Sequence, residues 1–390
     1  MKLTYPNYNS NILNIAATLA SFLGCKNNHP KLDAIKRELD KGYKNVVFIC
    51  FDGLGIHQLK THLKRDDFLR RHIVSEITSV FPSTTTNATS TLYTATPPSS
   101  HGWFAWSLYF ECKGQVIELF KDKDFFTGQD IDKNFLPTRL PKTPYYATNE
   151  IKNNNYISPN GYQVNEIQPP FCSHNLPLEN SYHFKNLAEH FKYLSYICNK
   201  KGKQFVFCYN PKPDNHMHIY GVKNQSTKNL IATINSTVEN FIKTHSDTLV
   251  IITADHGQAD ANVYFNLHKD DVLKNLLATP LYGDKRSVFL KLDKSCADTF
   301  TQTKIKLKCH IQTNYKNQIV LLCINYLIEK GVFGVSNSEH FNLLGDFVLV
   351  PANDNAELLI SDECSMHKGA HSGLHEKEML VPLIILSNKE

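Results

Sequence analysis

No C-x-x-C pair occurs among the ten cysteines of this 390-residue chain, no apolar stretch approaches the length of a membrane-spanning helix, and no internal repeat or low-complexity tract is present. A disulfide framework is therefore not expected. Several thiols instead sit inside apolar runs, as Cys50, Cys208 and Cys323 do, which suits a reducing compartment. Charge of one sign is also scarce. A net charge of +5 is too small to argue for a nucleic-acid site and fits a positive field around a small anionic substrate equally well. The N-terminal run from Ile12 follows Pro6 and several asparagines and has helical spacing, so an amphipathic helix is expected there rather than a cleaved signal peptide. These readings place the protein in the cytoplasm, with export lacking a cleavable signal as the alternative. Oligomeric state leaves no mark on the sequence.

What is present is an ordinary globular composition, 42% apolar and 20% charged, carrying short β-branched runs that end in acids. Asn45 to Phe51 runs into Asp52-Gly53, Gln204 to Tyr209 into a turn containing Asp214 and His218, and Thr248 to Thr253 toward Asp255-His256-Gly257. Such runs read as strands buried on both faces of a mostly parallel sheet, whose carboxyl ends are where ligands bind. Carboxylates and imidazoles there need a compensating charge, and a divalent cation supplies one. Asp214 and His218 lie about one helical turn apart and face the same way. They form one ligand set with a late histidine from the loop that holds His367, His371 and His375, while Asp52, Asp255 and His256 with a threonine oxygen form the second. Two ions about 4 Å apart would clamp the attacking and leaving oxygens of a displacement at phosphorus.

Between the first and second of these strand signals, Ser83 to Thr91 is dense in hydroxyls after Pro82. It predicts a strand-to-helix elbow where a nucleophile meets free backbone N–H groups; a plain Ser/Thr helix cap is the competing reading. Trp103 and Trp106 follow closely, either as a stacking surface or as core. Gly55 to Arg71, Tyr182 to Asn199 and Ser226 to Thr244 predict helices. Residues 111–180 lack periodicity and are expected as a loop-rich cover over the site. Residues 271–345, including a helix around Gln318 to Glu329, predict an inserted α+β subdomain. Phe347 to Pro351 is then a returning strand, and 1–270 with 346–390 form the catalytic core.

The ordered set Asp52-Gly53, Pro82-Ser-x-Thr85, His101-Gly102, Pro213-Asp214-x-x-x-His218-x-x-Gly221, Asp255-His256-Gly257 and His371-x-Gly373 resembles the alkaline phosphatase superfamily, in particular its nucleotide pyrophosphatase/phosphodiesterase branch. That resemblance implies an α/β fold with a mostly parallel sheet flanked by helices. It also implies a phosphoesterase with two zinc ions per chain, other divalent metals being admissible, acting on a small phosphorylated substrate such as a nucleotide. Carried over, Asp214, His218 and His371 hold one zinc, and Asp52, Asp255 and His256 the other. Thr85, fourth in Pro82-Ser-Thr-Thr85 and sixteen residues before His101, is the nucleophile and a metal ligand, with Thr84 and Thr86 as the neighbours one register away. Thr86 would give a backbone N–H, and Trp103 and Trp106 a surface for base or aryl groups. Two departures bear on substrate class: Trp106 stands where the diesterases place an asparagine, and Ala95 where a glycine is usual. A phosphomonoesterase or phosphonate hydrolase is the enzymatic alternative, and a metal-stabilised binding module the non-enzymatic one. No C-x-P-x-R sequence supports a sulfatase.

Overall fold

Asn45–Phe51 is buried at every residue and pairs in parallel with Lys203–Asn210 on one side and Thr248–Thr253 on the other. Its unbroken NVVFICF run is what a strand needs when helices cover both sheet faces. In the computed structural model, which describes residues 3–172, 175–293, 297–334, 337–362 and 366–389 and no side chain of 297–299, this strand is the middle of a seven-stranded sheet. The order across that sheet is Ile73–Thr78, Leu380–Asn388, Thr248–Thr253, Asn45–Phe51, Lys203–Asn210, Tyr162–Gln168 and Ser181–His183. Leu380–Asn388 alone runs antiparallel to its neighbours, so the sheet is mostly parallel.

Register turns these strands into a site. Phe51 lies beside Asn210, and Cys50 beside Thr253. The three central strands therefore stop at one level, and the residues that follow them emerge together. Because the middle strand is flanked on both sides by strands later in the chain, the loops leave in opposite directions and open a crevice at that edge. Helices Ile12–Phe22, Leu187–Cys198 and Gln225–Thr244 supply apolar side chains to the core around this sheet. Ile12–Phe22 is buried from Ile12 through Ala20, more enclosed than an amphipathic surface helix.

Several local expectations are corrected by tertiary pairing. The helix expected over Gly55 to Arg71 is two helices, Ile56–His62 and Phe68–Arg71, because Leu63 turns to extended backbone and Asp67 Oδ2 accepts from the Lys64 N–H at 2.7 Å. The helix expected from Tyr182 starts only at Leu187, where the Asn186 side chain caps the Glu189 N–H at 2.9 Å, while Ser181–His183 forms the sheet edge. The expected cover of residues 111–180 contains Tyr162–Gln168, a strand of the main sheet. Its YQVNEIQ sequence looks like a loop, but buried Asn165, Glu166 and Gln168 all have side-chain partners. The same stretch completes a small three-stranded sheet of Ser107–Phe110, Gln115–Glu118 and Lys123–Asp124.

A second, four-stranded antiparallel sheet has the order Tyr282–Asp284, Ser287–Leu290, Phe347–Pro351 and Ile319–Cys323. Phe347–Pro351 thus pairs with the strands of the expected insertion instead of returning to the main sheet. Ile319–Cys323 is a strand where the sequence predicts helix; the helix begins at Ile324. This sheet has its own apolar cluster around Leu290, Leu307 and Leu349. Among the described residues no helix is long and apolar enough to cross a membrane.

Candidate metal and phosphoryl-transfer site

Thr84 adopts extended backbone just before the helix Thr85–Thr94, whose first residue is Thr85, and makes no side-chain cap to it. The three consecutive threonines diverge at once. Thr84 Oγ1 donates to Asp284 Oδ1 at 3.2 Å, and Thr86 Oγ1 is buried without a hydrogen-bond partner. Only Thr85 turns to the acids at the strand ends: its Oγ1 lies 3.5 Å from Asp52 Oδ2 and 3.2 Å from His256 Nε2. A helix start leaves its first N–H groups without intrahelical acceptors and favours negative charge. The Thr85 hydroxyl therefore sits where an anion is welcome.

Around it the sheet edge gathers the rest. Asp52 Oδ1 and Asp255 Oδ2 each lie 3.4 Å from His256 Nε2. On the neighbouring turn, His218 Nε2 is 3.1 Å from Asp214 Oδ2, and His371 Nε2 is 3.6 Å from Asp214 Oδ1 and 3.2 Å from His218 Nε2. The His256 and His371 rings stack with centroids 3.7 Å apart. All six sequence-predicted ligands and Thr85 are thus brought into one crevice.

A backbone carbonyl orients each histidine ring. Nδ1 of His218 faces the Gly369 carbonyl at 2.7 Å, that of His256 the Gly257 carbonyl at 2.9 Å, and that of His371 the Ser83 carbonyl at 3.0 Å. A carbonyl only accepts, so Nδ1 carries the hydrogen and Nε2 is the nitrogen turned inward, where a cation would take its lone pair. This is the arrangement that metal-binding histidines use.

The carboxylates complete the test of whether a cation fits. Burial, then Asp255 and Asp214 nearby, pushes the Asp52 carboxyl well above the usual range, and burial likewise raises Asp255. Asp214 is held below its ordinary value: burial pushes it upward, but the charge and hydrogen bond of His218 outweigh that. Burial drives the His371 imidazole well below its usual range, to the neutral form that binds metals. Asp52 Oδ1 and Asp255 Oδ2 are buried with no hydrogen-bond partner. Two groups have ligand atoms within 4.8 Å of one another, Asp214 with His218 and His371, and Asp52 with Asp214 and His256. The first matches the expected set. In the second Asp214 replaces Asp255, one of whose oxygens is taken by the Gly53 and His256 N–H groups at 3.1 and 2.9 Å. Orphaned buried oxygens and convergent imidazoles suit divalent cations.

The remaining histidines of the late loop are accounted for differently. His375 caps the short helix Glu376–Met379, and the His367 ring lies 4.3 Å from that of His218. Both tryptophans stand against Phe120, at 5.8 and 6.0 Å, with Trp103 Nε1 donating to the Leu140 carbonyl and Trp106 Nε1 to Glu118. Sequence reasoning missed the residues that orient the ligands. Tyr209 donates to Asp52 Oδ2, and Gln258 Nε2 donates to Asp214 Oδ1 at 2.8 Å. Both adjoin strand-end acids in the chain or sheet, a position that signals them; Asp284, the partner of Thr84, carries no such signal.

Comparison with known proteins gives the family and the fold. A family model described as type I phosphodiesterase/nucleotide pyrophosphatase matches residues 46–351. Murine ectonucleotide pyrophosphatase/phosphodiesterase 5 is similar in structure, with a TM-score of 0.62 at 15% identity over 87% of each chain; an inactive form of it is solved in complex with AMP. Phosphonoacetate hydrolase from Sinorhizobium meliloti 1021, solved with phosphonoformate, superposes with a TM-score of 0.63 at 14% identity over 87% of this chain and 89% of its own. No curated protein matches the chain. The mostly parallel sheet is that of the alkaline phosphatase-like fold, and the chain belongs to the type I phosphodiesterase/nucleotide pyrophosphatase family of metal-dependent phosphoester hydrolases.

Proposed function

We propose that the protein hydrolyses phosphodiester or pyrophosphate bonds of small phosphorylated molecules, nucleotides included, in two displacements with Thr85 as nucleophile. The observation that carries this reading is the Thr85 hydroxyl at a helix start, beside Asp52 and His256 and next to two convergent ligand groups. Asp214, His218 and His371 would hold one zinc ion, and Asp52, Asp255 and His256 with Thr85 the other. Bound there, the two cations supply positive charge that acidifies the threonine hydroxyl and stabilises the charge developing on phosphoryl oxygens. Thr85 Oγ1 attacks phosphorus, the leaving alcohol or phosphate departs, and a phospho-threonine is formed; water then attacks the same phosphorus and restores the hydroxyl. The N–H of Thr86, free at the helix start, holds an equatorial oxygen through both steps.

Trp103, Trp106 and Phe120, with the Lys142 ammonium 5.1 Å above the Trp103 ring, are the surface we assign to the part of the substrate that does not react. The catalytic core is taken as residues 1–270 and 346–390 with 271–345 as the insertion, Phe347–Pro351 lending it a strand. All eight described cysteines are free, which supports the reading of a reducing compartment, the cytoplasm.

Thr85→Ala tests the core of the proposal. Turnover of bis-(p-nitrophenyl) phosphate should fall by at least about 10²-fold with bound zinc retained, and undiminished turnover removes Thr85 from the reaction. Trp106 in place of an expected asparagine donor favours phosphonate or monoester hydrolysis as a second reading. Relative rates on the diester, p-nitrophenyl phosphate and a phosphonate separate the two.

A further inference from the structure

Asp284 pairs with Ser287 across two strands of the four-stranded sheet, leaving Lys285 and Arg286 as a two-residue turn. The tip of this hairpin reaches both halves of the catalytic crevice. On one side the Asp284 carboxylate accepts from Thr84 Oγ1 at 3.2 Å and from the Trp106 N–H at 2.9 Å. On the other, the Arg286 N–H donates to Ser372 Oγ at 3.1 Å, and its guanidinium grips Glu378 through Nε at 2.7 Å and Nη2 at 3.0 Å. The remaining guanidinium bonds go to the Asn353 and Ala356 carbonyls. Glu378 in turn accepts from the Gly373 N–H at 2.7 Å and the His375 N–H at 3.3 Å.

We propose that Asp284 and Arg286 are positioning residues of the hydrolase site, Asp284 for the Thr85 hydroxyl and Arg286, through Glu378, for the His371 imidazole. This rests on the reading of Thr85 as nucleophile and His371 as metal ligand. Thr84 is the last residue before the helix, so fixing its side chain fixes the angle at which Thr85 enters the helix. Ser372, next to His371, holds φ at 98°, a left-handed conformation costly for a residue with a Cβ. Such strain persists only where the surroundings over-determine it, and here Arg286 and Glu378 do so. Arg286 is 1% exposed and Glu378 fully buried, so neither is a surface ion pair that water can replace. The two arms also meet, since Ser83 Oγ donates to the Gly373 carbonyl at 2.8 Å and the Ser83 carbonyl orients His371.

The test uses the full chain loaded with zinc and four variants, Asp284→Ala, Arg286→Lys, Thr85→Ala and His371→Ala. It measures kcat and KM on bis-(p-nitrophenyl) phosphate, zinc affinity by chelator competition without substrate, and thermal melting. Asp284→Ala should lower kcat at least about tenfold with zinc affinity and KM near wild type, the signature of a misplaced reacting group. Arg286→Lys keeps the charge but not the fork, and should weaken zinc binding by about 10–100-fold, with kcat recovering at saturating zinc. Should Arg286→Lys fail to fold, Glu378→Gln carries the same prediction on zinc affinity. Wild-type kcat in Asp284→Ala, or wild-type zinc affinity in Arg286→Lys, overturns the positioning role while Thr85→Ala is inactive and His371→Ala is poor in zinc. Activity in Thr85→Ala, or undiminished zinc binding in His371→Ala, overturns the underlying assignment instead.

Discussion

His190 shows what a buried titratable side chain does when it has no catalytic neighbour. It is fully enclosed, stacks on Phe184 with ring centroids 4.6 Å apart, and takes a hydrogen bond at Nδ1 from the Asn210 amide at 2.9 Å. Burial lowers its pKa from 6.5 to about 3. The sign follows from linkage: neutral imidazole is favoured in the folded chain, so its contribution is fully present above pH 6.5 and is lost as pH falls from 6.5 toward 3. Each unit of that shift corresponds to about 1.4 kcal/mol. His190→Gln retains an acceptor for Asn210 but cannot titrate. Denaturant unfolding at pH 8 and pH 5 should show the wild type losing more stability on acidification than the variant, and equal losses would assign the pH dependence elsewhere. Tyr209 has the complementary role, giving its hydroxyl hydrogen to Asp52 Oδ2. Tyr209→Phe should reduce kcat on the diester by about tenfold or more, because Asp52 loses the hydroxyl that orients it, with little change in melting temperature.

At the scale of elements, the site depends on how closely two strand ends approach. A Cβ built on Gly257 would lie 2.1 Å from the Lys377 carbonyl oxygen, and one on Gly55 would lie 2.6 Å from the Gly257 Cα. Backbone cannot retreat as a side-chain tip can, so Gly257→Ala should lower the unfolding free energy by about 1–3 kcal/mol and disturb His256 beside it. Gly114, in open space at φ 62°, should cost only the left-handed penalty of about 1–2 kcal/mol on conversion to alanine, with activity unchanged. Denaturant midpoints and diester turnover for the two variants check both statements. The same scale explains the missed helix and strand boundaries. Tyr162–Gln168 carries Asn165, Glu166 and Gln168 inside the main sheet, a pattern that reads as loop because their partners come from residues far along the chain. Ile319–Cys323 reads as helix with the residues that follow it, and becomes a strand only because Phe347–Pro351 offers an edge.

For the whole molecule, three carboxylates and three imidazoles converge in a largely buried crevice, and cations that bind the folded chain alone must stabilise it. Chelation should lower the melting temperature, and zinc at a hundred times its dissociation constant should restore about 2.7 kcal/mol for each site filled. A melting temperature indifferent to chelator and zinc would argue against resident cations.

The sequence by itself determined the strands that end in acids, because a run such as NVVFICF is tolerable only between two covered faces and each acid follows directly in the chain. It also determined the ordered motif set, and with it the alkaline phosphatase-like fold and the family. Motif spacing singled out Thr85 among three consecutive threonines, but only the tertiary structure decided what each hydroxyl faces, turning that of Thr85 to Asp52 and His256 and that of Thr84 to Asp284. It alone placed Asp284 and Arg286 against the site, and shifted Phe347–Pro351 into the second sheet. Those contacts join residues tens to hundreds of positions apart, where register and burial set the energy and local sequence pattern carries none of it.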